Sequence, residues 1–169
     1  MLDAGSFGRV RVPTGDQEVA ASIHLDETDK TIIAFLQEDG RMPYSKLGPL
    51  VGLSPAAVRQ RVLALTDSGV IQVVAVTDPT SIGFGSQALV GISVSGDLDD
   101  AAHEISTLEE ADYVVITTGR FDIITEIVCE DTDHLLRVMN QLRTMDCVNS
   151  TELFTYLRLA KQTYDWGTR

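Results

Sequence analysis

Arg59 and Gln60 stand side by side in this 169-residue chain, and both side chains are built for bidentate hydrogen bonding. A guanidinium fork fits the O6/N7 edge of guanine, and a carboxamide fits the N6/N7 edge of adenine. Upstream, Ser45 and Lys46 put a hydroxyl beside a cation, which is the chemistry of a phosphate contact. Arg61 is a further cation, but it lies nearer the core edge of its helix, where an ion pair competes with a phosphate contact. Downstream, Gly119-Arg120-Phe121-Asp122 combines a turn, a cation, a ring and a carboxylate. Backbone N–H groups at the glycine could hold a ligand carboxylate, and Asp122 could take an ammonium group. The same residues suit a plain hairpin turn, where Gly and Asp are common for local backbone reasons.

Other chemistries find no constellation. His24, His103 and His134 share no helix face, so no metal site is expected. Cys129 and Cys147 are isolated, without CxxC spacing, which argues against zinc or a disulfide framework and suits a reducing cytoplasm. No Ser/His/Asp or Cys/His set assembles. Gly83-Phe84-Gly85 followed by Gly91 has the wrong spacing and flanks for a dinucleotide loop. No cofactor and no enzymatic activity are expected.

The elements that position these residues follow from punctuation and periodicity. Ser54 is a strong N-cap, Pro55 suits the first helical position, and Gly69 suits a C-terminal cap. Between them Val58, Val62 and Leu65 form one apolar stripe. Ala56, Gln60 and Leu63 then point away from that stripe, with Arg59 on its flank. A helix with small residues at its exposed start (Ser54, Pro55, Ala56) and Arg and Gln further along can enter a DNA major groove. Ahead of it, Leu25, Ile32, Ile33 and Leu36 form a first helix ending at Gly40, and Pro43–Val51 a second. Gly52-Leu53 makes the turn, so residues 24–70 read as a helix-turn-helix domain. Residues 1–23 are rich in glycine without a sustained period and read as a flexible arm, whose Arg9 and Arg11 could touch a minor groove. Val70–Thr77 is β-branched and reads as a strand. It falls in a linker strand and hinge over 71–86.

Strand and helix signals alternate over residues 87–158 in the order βαββαβ, a ferredoxin-like sandwich with an antiparallel sheet and helices on one face. The fold class is therefore α+β. Such a sheet leaves one face bare, and a second copy of the chain is its simplest cover. Residues 159–169 end in Tyr164 and Trp166 and read as a tail packing at a subunit contact. Net charge is −12, of which residues 79–169 supply −9, with 6 basic and 15 acidic groups. The 24–78 segment, at −2, is still no basic patch, so phosphate attraction per subunit is modest. No apolar run approaches the ~18 residues of a membrane span, and the first residues lack the pattern of a secretory signal. No membrane contact and a cytoplasmic location are expected.

Taken together, these motifs resemble the Lrp/AsnC (leucine-responsive, feast/famine) family of transcription regulators. The matching residues are Leu25-Asp26-x-x-Asp29, Asp39-Gly40-Arg41, Val51-Gly52-Leu53-Ser54, Arg61-Val62-x-x-Leu65, Gly69-Val70-Ile71 and Gly119-x-Phe121-Asp122. The resemblance implies a DNA-binding N-terminal domain that contacts double-stranded DNA. It also implies a C-terminal domain that dimerises, assembles further (an octamer in the larger forms), and binds a small effector such as an amino acid. Gly119, Arg120, Phe121 and Asp122 fall where the effector loop would be. Members often carry basic residues where this chain has Pro49, Leu50, Leu63 and Ala64. Two alternatives remain open from sequence: an enzyme subunit on the same frame, like siroheme decarboxylase subunits, and a sensor or assembly protein with weakened DNA binding.

Overall fold

The computed structural model describes residues 24–163. The expected arm over 1–23, with Arg9 and Arg11, and residues 164–169 of the expected tail lie outside these. Two compact units part between Ala75 and Val76.

The first unit is three helices. Helix α1 spans Glu27–Glu38 and is closed by a reciprocal capping box, in which Asp26 accepts from the Asp29 N–H while Asp29 accepts from that of Asp26. Helix α2 spans Tyr44–Val51 and keeps Pro49 inside it, continuing two residues further. Gly52 ends it in the left-handed region at φ 69°, which glycine reaches without a Cβ penalty. Gly48 is needed for a different reason: a Cβ there would sit 2.6 Å from the Leu53 carbonyl oxygen. Only a glycine lets the turn fold back this closely onto α2.

Helix α3 spans Pro55–Asp67. The Ser54 hydroxyl accepts from Ala57 N–H at 3.2 Å. At the other end Gly69, at φ 74°, donates to Thr66 and Val70 donates to Leu65, the paired bonds of a Schellman ending. Ile32, Ile33, Met42, Leu47, Val58, Val62 and Leu65 form the core, so the apolar stripes seen in the sequence meet one another.

The predicted strand over Val70–Thr77 does not form: residues 71–78 lie in no strand, and Val73, Val74 and Val76 are more than half exposed. β-branched composition favours a half-buried pleated surface, and no neighbouring edge supplies one here. A short 3₁₀ turn, Pro79–Ile82, follows and closes on Gly83 at φ 104°.

The second unit runs β1 (Ser86–Val94), α4 (Leu98–Ile105), β2 (Ala111–Ile116), β3 (Ile123–Cys129), α5 (Thr132–Arg143) and β4 (Val148–Thr155). Its sheet is antiparallel with order β2-β3-β1-β4, the expected βαββαβ arrangement. Alternation divides each strand between two environments. Ala88, Val90 and Ile92 of β1 and Ile123, Ile127 and Cys129 of β3 pack with Ala101, Ile105, Leu135, Val138, Met139 and Leu142 from the helices. The opposite face carries Leu89 and Gly91 on β1, Ile124 and Glu126 on β3, Tyr113 and Val115 on β2, and Glu152 and Phe154 on β4. No helix of the second unit covers it. Strand β4 begins and ends earlier than the sequence pattern over Thr151–Leu159 suggests, because its register follows antiparallel β1, with Val148 opposite Val94 and Thr155 opposite Ala88 near the start of that strand.

Candidate functional site

On α3, burial of Val58, Val62 and Leu65 turns the opposite side to solvent. Ser54, Pro55, Ala56, Arg59, Gln60 and Leu63 are all exposed. None of the hydrogen bonds or ion pairs among the described residues engages the side chains of Arg59 or Gln60, so both are available to a ligand. Ser45 and Lys46 are exposed on α2. Helix α3 thus presents a largely uncharged centre with Arg59 at its flank, and α2 presents a separate cation.

Arg61 is placed differently. Its Nη1 donates to Asp26 Oδ2 and to Asp29 Oδ1, both at 2.7 Å. One guanidinium therefore ties the middle of α3 to the capping box of α1. The bond from the Asp29 N–H and then the Arg61 guanidinium hold the Asp26 carboxyl below its ordinary value, and the two carboxylates raise the Arg61 pKa. Of the two roles the sequence left open for Arg61, the geometry favours the ion pair over a phosphate contact.

The Gly119–Asp122 segment joins β2 to β3. Gly119 does not take a positive φ, and a Cβ there would meet nothing within 4 Å. The connection from Thr117 to Asp122 is long enough that no left-handed residue is required at Gly119. Asp122 is a structural residue at the end of the ladder. Its N–H donates to Ile92 O at 3.0 Å, its carbonyl accepts from Thr117 N–H at 2.8 Å, and its Oδ2 accepts from Val94 N–H at 2.9 Å. Strand β3 begins at Ile123, paired with Ile92. The carboxylate therefore supplies one more rung for β1, beside the point where its pairing with β4 shifts register at Ser93/Val94. Oδ1 takes no part in these bonds.

Around this rung lies a cluster that sequence spacing did not reveal. The Phe121 ring lies against Gly91, where a Cβ would come within 2.4 Å of the ring. It meets Phe154 edge-on at 6.3 Å between centroids. The Arg120 guanidinium lies 5.3 Å from the Phe121 centroid and pairs with Glu152 Oε2 at 2.9 Å. Gly91, Glu152 and Phe154 join the site only through strand register, Gly91 facing Glu152 across the β1–β4 pair. The one local signal was a glycine inside a strand, which often marks close approach of another group.

The remaining reactive groups look inert. Burial pushes the Cys129 thiol up to about 11, and burial followed by a hydrogen bond with Glu104 raises Cys147, so neither is a thiolate at neutral pH. His134 Nε2 lies 2.8 Å from Glu110 Oε1, and no metal-binding cluster occurs among the described residues. A 260 Å³ cleft by Leu36, Gly40, Arg41, Tyr44 and Val62 includes none of the loop residues. No helix among the described residues is long and apolar enough to cross a membrane.

Comparison with known proteins matches these two units to two families of domain in the same order. Residues 25–66 match the AsnC-type helix-turn-helix domain, and residues 87–166 match the Lrp/AsnC ligand binding domain. The chain belongs to the Lrp/AsnC family of transcriptional regulators. Among its relatives, the HTH-type transcriptional regulator FL11 of Pyrococcus horikoshii is 29% identical over 143 residues, covering 83% of this chain and 95% of that protein. An uncharacterized HTH-type transcriptional regulator of Pyrococcus abyssi is 31% identical, covering 86% and 91%. The crystal structure of a Neisseria meningitidis transcriptional regulator in complex with L-Met superposes with a TM-score of 0.74 at 27% identity, covering 83% of this chain and 95% of that one. This Lrp/AsnC chain is accordingly a transcriptional regulator with a DNA-binding and a ligand-binding domain.

The Arg61 bridge has a pH signature in the helix-turn-helix unit. A carboxyl whose folded pKa is depressed adds stability above its unfolded value and loses it as pH falls through the folded one. Thermal melts should therefore show the first unit weakening as pH falls below about 4, the ordinary aspartate value. Arg61→Gln should lower the melting temperature at neutral pH and shrink that acid dependence. A variant with an unchanged pH profile would remove the bridge from the stability of this unit.

Proposed function

We propose that this regulator binds a specific operator through α3 and that a small amino acid, taken at the Gly119–Asp122 loop, controls its assembly or its DNA binding. The observation that carries the first part is the free, outward pair Arg59 and Gln60 on the second helix of a family-matched helix-turn-helix, with Ser54, Pro55 and Ala56 leading into the groove. Ser45 and Lys46 on α2 are the proposed phosphate contacts. Arg59→Ala or Gln60→Ala should cost roughly 1–3 kcal/mol of operator affinity and relax base preference, whereas Lys46→Ala should weaken all sequences alike and reduce the salt slope by about 1. Mobility shifts on DNA upstream of the protein's own gene test this. Unchanged operator and random-DNA binding in the Arg59 and Gln60 variants would reject the assignment.

The bare sheet face supports a dimer. Tyr113 is 53% exposed and Phe154 44%, with Leu89, Val115 and Ile124 beside them, and a two-fold partner would bury this patch with a copy of itself. Light scattering at micromolar concentration should report a dimer or larger, with octamers among the larger forms. A clean monomer would overturn this.

The effector reading rests on charges around Phe121. An amino-acid zwitterion matches the Arg120–Glu152 pair with opposite charges, its carboxylate toward Arg120 and its ammonium toward Glu152 and Asp122 Oδ1. Charge-assisted bonds of this kind are stronger than neutral ones. The L-Met complex of the Neisseria relative makes methionine a first member of the panel. In calorimetric titration, Asp122→Asn should lose effector affinity about tenfold or more while keeping the fold, since the amide oxygen can still accept from Val94. Equal affinities would place the effector elsewhere and leave Asp122 a ladder residue.

A further inference from the structure

The outward centre of α3 is not cationic. Ala56, Gln60 and Leu63 share it, Leu63 is 44% exposed, and Arg61 is engaged by Asp26 and Asp29. A half-exposed leucine cannot neutralise phosphate, and in a groove lined by base edges its one favourable partner is the thymine C5-methyl. Ala56, one turn before Gln60, offers a methyl of its own. We propose that Ala56 and Leu63 read thymine methyl groups on either side of the base pair taken by Gln60. The operator half-site is then an A·T-based element with two thymines set by the pitch of α3.

The spacing follows from helix geometry. Residues rise ~1.5 Å each along an α-helix, so Ala56 and Leu63 lie ~10 Å apart along the axis, or about three base steps of ~3.4 Å. Gln60 falls between them, where a carboxamide takes an adenine in bidentate fashion. Arg59, on the flank, is left to a guanine or phosphate at the edge of the element. This specificity rests on the proposed docking of α3 in the major groove.

Operators are first selected from a random duplex library with the full chain, and each thymine in the selected half-site is then replaced by deoxyuridine, which lacks only the methyl. Fluorescence anisotropy should show about a fourfold loss at each of two positions, the worth of one buried methyl. Leu63→Ala should erase the loss at one of those positions and leave the other intact. Leu63→Lys should erase the same methyl effect and steepen the salt dependence. Enriched operators without thymine at that spacing, or deoxyuridine effects identical in the wild type and Leu63→Ala, would overturn the proposal while leaving DNA binding in place. A library in which nothing is enriched would overturn docking of α3 itself, and this proposal with it.

Discussion

The second unit depends on a sheet with helices on one side only. Strand β1 lies between β3 and β4, so every second residue is committed to the helix-side core and the rest to a face left uncovered within the unit. The committed side is closed and, apart from Ser86 and Thr125, apolar, with Ala88, Val90 and Ile92 wholly buried. The other side keeps Tyr113 and Phe154 in the open next to charged Glu126 and Glu152. An isolated domain with that face has a reason to associate, and the Gly119–Asp122 loop, proposed above to take the effector, hangs from one end of the same sheet. Assembly and ligand response would then share one structural layer instead of needing a separate relay.

The first unit solves a different problem, which is to hold α3 at a fixed attitude with little surface to bury. Two contacts achieve this. Gly48 lets the turn close onto α2, and Arg61 fastens the middle of α3 to the start of α1. The cost is one cation tied up in ion pairs on a chain whose net charge is already −12. With the proposed docking of α3, affinity would draw on shape, base-edge contacts and a second subunit more than on long-range attraction.

Much of this was legible in the sequence because it is local. Ser54, Pro55 and Gly69 mark the bounds of α3 through backbone chemistry that needs no tertiary context, and the apolar periods of α1, α4 and α5 set their buried sides. The βαββαβ order followed from alternation of period. What escaped was set by pairing. Glu152, Phe154 and Gly91 reach Phe121 and Arg120 only through the register of β4 on β1. The role of Asp122 changed for the same reason: as a turn residue its carboxylate looked free, whereas strand pairing brings Val94 N–H to it. The β-branched run Val70–Thr77 failed as a strand because composition cannot supply an edge to pair with. Arg61 stood open between two roles until Asp26 and Asp29, 35 and 32 positions earlier, came to its side.

The extra rung made by Asp122 has a dynamic consequence. A single carboxylate oxygen protects the Val94 amide just ahead of the start of strand β3, so that proton is shielded by a side chain and not by the β1–β3 ladder. Exchange of this amide with solvent needs only the loop to lift, without any strand pair breaking. A ligand drawing on the same carboxylate would either pin the loop down or compete for the oxygen. The Val94 amide would become more protected in the first case and less in the second. One backbone proton at the end of a central strand thus serves as a built-in gauge of the state of the loop.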